Sequence, residues 1–232
     1  MCPDLPVSGD SRGGFKIVGE FNILIAGVGG QGVILISELL GNAAVRDGLK
    51  VRGSEVLGMA VRGGPVVSTI RLGSEVYGPL IPMGKGDILI ALEPAEALRN
   101  SIYLAKSSTV ILNMETIVPF TVPLGESTYP GLNEIVSRLK MASGNVISLN
   151  ARQIAEEAGS PLSANIVMLG TAFGAGQLPI KIETMKEAIQ ARFPAKLARV
   201  NINAFDLGYQ RCRLTLNQEP ASPTSPLNTK LT

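Results

Sequence analysis

The chain has 232 residues, 45% of them apolar and 17% charged, with a formal net charge of +2. That length allows one substantial domain with an appended piece. The charged fraction is below the roughly 25% usual in soluble domains. This fits either extra surface to bury against another subunit or a well-filled α/β core with little surface charge. The near-neutral balance, without a Lys/Arg cluster, carries no nucleic-acid footprint. Every apolar run is interrupted before the ~20 residues needed to span a bilayer.

The chain contains no histidine and no tryptophan. A histidine general base, a His-ligated metal and a Ser-His-Asp triad are therefore excluded. Cys2 and Cys212, near opposite ends, imply no disulfide framework and cannot supply the full set of thiolates an iron–sulfur cluster takes. With no secretory h-region at the start, the expected compartment is cytoplasmic.

Residues 1–19 are rich in Gly, Pro and Ser and are expected as a flexible leader. An apolar strand over 22–27 then breaks into the glycine turn "GVGGQG" and a helix ending near Gly48, an αL cap. "LKVRGSEV" (49–56) is a second strand, and residues 64–81 read as a hairpin or irregular strand pair around Gly73–Ser74. "DILIALE" (87–93) is a buried-type strand with Pro94 placed to start a helix over 94–105, and 109–113 is another strand.

Leu132, Ile135, Val136 and Leu139 mark an amphipathic helix. A strand over 145–150, a helix ending at Gly159, and helices over 163–176, around 182–189 and over 194–213 complete the pattern. The residues after 213 are expected as a disordered tail, leaving one domain over 20–213. Apolar strands alternating with helices predict an α/β fold, a Rossmann-like, mostly parallel sheet with helices on both faces.

The glycine turn fits a dinucleotide fingerprint at Gly27, Gly29 and Gly32, with an anion expected on backbone N–H groups from Gly30 and Gln31 through Gly32 to Val33. Glu55 is the candidate acid for ribose hydroxyls, slightly late in the chain. Two features pull against a nicotinamide or flavin enzyme. No histidine is available for proton transfer, and "SEVLGMAVRGGPVVSTIRLG" (54–73) replaces the helix expected there.

Together, "GVGGQGVILISELLGNAA" and that second segment resemble the gamma-type domain of 2-oxoacid:ferredoxin oxidoreductases, and within that group the indolepyruvate type. The resemblance spans about residues 20–213. Leu57 and Val61 stand where the family pattern often has histidine and glutamine. The resemblance implies a small subunit, inactive alone, of an enzyme that oxidatively decarboxylates an aryl pyruvate to its acyl-coenzyme A and reduces ferredoxin. Thiamine diphosphate, Mg2+ and [4Fe-4S] clusters are implied in a larger alpha subunit, with a dimer of heterodimers as the assembly. A free-standing NAD(P)- or flavin-binding oxidoreductase and a non-catalytic scaffolding subunit are the rival readings.

Under the favoured reading, the glycine turn and Ser54, Met59, Arg62, Gly63 and Gly64 face the partner near its active-site entrance. Gly63, Gly64 and Pro65 would fix the backbone shape of that loop. Met59 would supply interface packing. The Arg62 guanidinium would meet a substrate carboxylate, a coenzyme A phosphate or a partner carboxylate, or else lie exposed. Glu55 would receive a partner's donor, pair with Arg62, or remain a solvated strand end. A coenzyme A phosphate on the turn ranks below an interface role, because the turn holds no Lys or Arg. Arg62→Ala is expected to lower turnover of the assembled enzyme; steady-state kinetics and co-purification with the partner both left unchanged would remove that role.

Overall fold

A computed structural model describes residues 7–9, 15–17, 19–58, 63–119 and 121–218, the first two stretches and Gln218 as backbone only. Within the expected leader, β1 (Val7–Gly9) pairs antiparallel with β2 (Phe15–Ile17). The main sheet has six strands in the order β4-β5-β3-β6-β7-β8. These are β3 (Glu20–Val28), β4 (Val51–Leu57), β5 (Pro65–Gly73), β6 (Gly86–Ala91), β7 (Leu104–Asn113) and β8 (Asn145–Leu149). Strands β3, β6, β7 and β8 pair in parallel, while β5 is antiparallel to both β3 and β4. Only β5 is reversed, so the sheet is mostly parallel, as its apolar runs predict.

Those runs are continuous because both faces are covered. Along β3, Ile23 and Ile25 enter one core and Leu24 and Ala26 the other. The first core is filled by α1 (Val33–Arg46), α4 (Ala151–Ala158), α5 (Ala164–Gly174), α6 (Ile182–Arg192) and α7 (Ala195–Gln218). The second is closed by α2 (Pro94–Arg99) and α3 (Leu132–Ala142), through Ala97, Ile135 and Leu139. No helix among the described residues is long and apolar enough to cross a membrane.

Four expectations need correction. The hairpin partner of β5 is β4, which precedes it, and not the segment after Gly73. That later segment forms no strand because side chains from β5 capture its carbonyls: Arg71 Nη1 donates to Gly78 O and Leu80 O at 3.1 and 3.0 Å, and Thr69 Oγ1 to Pro79 O at 3.0 Å. The helix after Pro94 stops at Arg99, where Asn100 Nδ2 bonds back to Glu96 O at 2.8 Å. A 3-10 turn over Ser101–Tyr103 then feeds β7, which starts earlier than its apolar stretch suggests. At the other end α7 continues to Gln218, through the first residues assigned to the tail.

Strand β4 pairs on one side with β5, and no described strand occupies its other edge. Val56 and Leu57, near its end, are 61% and 60% exposed. Within the first core, α5 and α7 cross at reciprocal glycines. A Cβ on Gly170 would lie 2.0 Å from Phe205 O, and one on Gly208 would lie 2.2 Å from Val167 O. Only hydrogen fits at either point, so Gly170→Ala is expected to force the helices apart. The predicted loss is about 1–3 kcal/mol of stability, read as a lower urea midpoint; a midpoint equal to wild type would refute the close crossing.

Candidate functional site

The parallel strands β3, β6 and β7 deliver their carboxyl ends to one rim, where open α/β sheets place their ligand crevices. The glycine turn sits at this rim, between β3 and α1. Its polar groups are largely engaged by the chain itself. Gln31 Oε1 accepts from Val28 N–H, and Gln31 Nε2 donates to Leu92 O, both at 2.9 Å. Gln31 therefore ties the end of β3 to the end of β6. Asn113 extends the tie to β7, its Nδ2 donating to the same Leu92 carbonyl at 3.1 Å. Its Oδ1 accepts from Ala151 N–H at 3.1 Å, which fixes the start of α4.

The turn is also joined to the second motif. Gly29 N–H donates to Gly64 O at 2.9 Å, and Gly63 N–H donates to Gly29 O at 3.4 Å. The two segments that carried the sequence resemblance thus meet backbone to backbone. In a dinucleotide site the second glycine lets the pyrophosphate approach; here Gly29 faces the Gly63–Gly64 backbone. Gly32 caps α1 in the left-handed region, φ 88°, and a Cβ there would lie 2.1 Å from Asn165 Nδ2. The third glycine therefore serves a close approach by the first turn of α5.

Glu55 lies inside β4, exposed, opposite Ser68 of β5. The reversed strand β5 stands between β4 and β3. Two strand spacings, about 10 Å, therefore separate Glu55's strand from the one that carries the turn. A ribose-binding acid would extend from the adjacent strand. Ser54 is half-buried in β4, and its carbonyl accepts Thr69 Oγ1 at 3.4 Å. Gly30 is exposed at the tip of the turn. Met59 and Arg62 lie outside the described residues.

Between the turn and α2 lies a cavity of about 190 Å3, lined by Val28, Gly63, Glu93, Glu96, Arg99 and Tyr129 among others. Glu93 is 1% exposed and Glu96 2%. Glu93 Oε2 caps α2 by accepting from Glu96 N–H at 2.9 Å, while its Oε1 accepts the Tyr129 hydroxyl. Glu96 pairs with Arg99. Burial pushes the Glu96 carboxyl above its ordinary range, against the lowering effect of Arg99, and the Glu93 charge adds to the rise. A phosphate entering this cavity would meet two buried carboxylates and a single guanidinium, an arrangement unsuited to an anion.

Glu93, Tyr129, Asn113 and Asn165 were not among the residues expected at the site. Glu93 carried a legible signal, an acidic residue directly before an N1 proline. Tyr129 and Asn113 carried none, since each acts on a residue far away in sequence. For metal clusters the residues do not fit: Cys212 is the single described cysteine, and no group of three or more His, Cys, Asp or Glu among the described residues could hold an ion.

The architecture matches gamma-type subunits. The keto/oxoacid ferredoxin oxidoreductase gamma subunit from Geobacter sulfurreducens aligns with a TM-score of 0.60 and 24% identity, over 83% of this chain and 98% of that one. A 2-oxoglutarate:ferredoxin oxidoreductase chain from Magnetococcus marinus aligns with a TM-score of 0.66 and 20% identity, over 89% of this chain and 33% of the longer one. The pattern of the pyruvate ferredoxin/flavodoxin oxidoreductase family matches residues 22–211, and the chain belongs to that family. It is 45% identical to the indolepyruvate oxidoreductase subunit IorB of Archaeoglobus fulgidus, over 83% of this chain and 95% of the relative. Against the same subunit of Pyrococcus horikoshii the identity is 41%, over 85% and 98%. The chain is thus a subunit of an oxidoreductase of this family.

The three-strand tie makes Gln31→Leu informative. It leaves the Val28 N–H without its acceptor while keeping side-chain volume. The expected cost is about 1–3 kcal/mol, with faster amide exchange at Val28; stability and exchange equal to wild type would show that the tie is dispensable.

Proposed function

We propose that this chain is the small subunit of a thiamine diphosphate-dependent indolepyruvate:ferredoxin oxidoreductase. The complex would oxidatively decarboxylate indolepyruvate or a related aryl pyruvate, pass the acyl group to coenzyme A and the electrons to ferredoxin. The observation that carries this reading is the identity of 41–45% to IorB subunits across 95–98% of their length. The chain's own chemistry is consistent with it. It has no histidine, and its described residues provide no metal-binding group. Thiamine diphosphate, Mg2+ and the [4Fe-4S] clusters are accordingly assigned to a larger alpha subunit, and this chain is inactive alone.

The surface assigned to that partner is the carboxyl rim, where the Gly29–Gly64 contact joins the glycine turn to the motif that includes Met59 and Arg62 in sequence. Ser54 lies within β4, and Gly63 and Gly64 lead into β5, on the two sides of that segment. Exposed Val56 and Leu57 add apolar area beside it. The same fold occupies about a third of a longer chain in the Magnetococcus enzyme, which supports a large, permanent interface over a transient encounter. A dimer of heterodimers is the proposed assembly.

Anaerobic purification from the native host tests the reading. The expected result is a larger co-purifying polypeptide, with thiamine and iron in proportion to it, and coenzyme A-dependent ferredoxin reduction fastest with aryl pyruvates. A nucleotide-loaded monomer, or a partner lacking both thiamine and iron, would overturn it.

A further inference from the structure

We propose that the segment between β7 and α3 is a strap that opens over the cavity at the ends of β3 and β6, with the Glu93 carboxylate as its latch. The segment, residues 114–119 and 121–131, leaves β7 at Asn113 and returns at α3. A connection of this length without regular structure is uncommon in a compact domain and is a usual form for a lid.

None of its described residues is buried, so it contributes nothing to either core. Its turn is held from within. Val122 N–H donates to Pro119 O, Gly125 N–H to Val122 O and Glu126 N–H to Thr121 O, while Thr121 and Ser127 share a hydroxyl bond. Near β7 it is tied to the body by Met114 N–H on Leu149 O at 2.9 Å and by the surface pair Glu115–Arg152.

Beyond those points both arms meet at one carboxylate. Ile117 N–H, on the outgoing arm, donates to Glu93 Oε1 at 3.4 Å. The Tyr129 hydroxyl, on the returning arm, donates to the same oxygen. The other oxygen of Glu93 is held by α2 through Glu96 N–H. Glu93 itself is almost completely enclosed. The Tyr129 phenol is pushed well above its ordinary range, first by burial and then by its bond to Glu93, so it remains a donor.

The arrangement is a long, solvent-facing segment with little packing of its own, fastened at both arms to a rigid acceptor. Such a segment opens locally, at a free-energy cost far below global unfolding. Opening exposes Glu93, Glu96 and the first turn of α2 at the rim of the cavity. Because the arms share an oxygen, release of one weakens the orientation of the other, and the strap moves as a unit. This inference does not depend on which 2-oxoacid the complex takes.

Hydrogen exchange by mass spectrometry on the assembled complex carrying Tyr129→Phe tests it. The variant keeps the ring and removes only the latch hydroxyl. Peptides from 114–119 and from 121–131 should both exchange about five- to tenfold faster, while β6 keeps its wild-type rate and α2 changes only at Ala95, whose N–H also reaches the Tyr129 hydroxyl, because the Glu93 cap on α2 remains. Ser127→Ala, which removes one bond within the turn and leaves the latch intact, should accelerate only 121–131. Unchanged exchange in Tyr129→Phe, or acceleration confined to the arm that carries Tyr129, would overturn the shared latch.

Discussion

A strand buried on both faces cannot leave its end groups to water, and that constraint organises the rim of this molecule. Every residue of β3 after the first is buried, and β6 beside it is nearly as enclosed. Where these strands end, their N–H and C=O groups still require partners, since an orphaned one would cost as much as several good contacts return. The chain answers with side-chain amides and one carboxylate. Gln31 serves Val28 and Leu92, Asn113 serves Leu92 and Ala151, and Glu93 serves Glu96. Three strands, two helix starts and the strap are positioned by these few groups.

The same groups explain why a turn with the pattern of a dinucleotide site performs another task. Its glycines permit close approach, but what approaches is the chain's own backbone at Gly63–Gly64 and the Asn165 amide. The reversed strand β5 completes the change. By inserting itself between β3 and β4 it removes the adjacent acid that a ribose would need and carries the second motif back to the turn. The turn and the second motif thereby close on each other as one self-paired rim where a nucleotide fold would stay open to its ligand.

Much of the fold was legible from local signals. The i, i+3, i+4 pattern from Leu132 gave α3, Pro94 marked the start of α2, and Gly159 the end of α4. Continuous apolar runs gave a doubly covered sheet. What was not legible depended on partners distant in sequence. The residues after Gly73 have the composition of a strand, yet Arg71 and Thr69 take their carbonyls. At the site, "GVGGQG" and "RGG" were recognisable as motifs, but their mutual contact was not. Gln31 looked like a turn residue, and its work lies 61 positions away at Leu92. Glu93 and Tyr129 meet across 36 positions, which no periodicity records.

The open edge of β4 has a consequence for how the protein is produced. A strand with no described partner on one edge and two exposed apolar residues at its tip is a template for pairing with an extended chain, including another copy of itself. In a subunit of an oxidoreductase complex, such an edge is shielded only where another chain covers it. Where such a covering chain exists, its supply bears on solubility as well as on activity, since each uncovered copy adds another exposed edge.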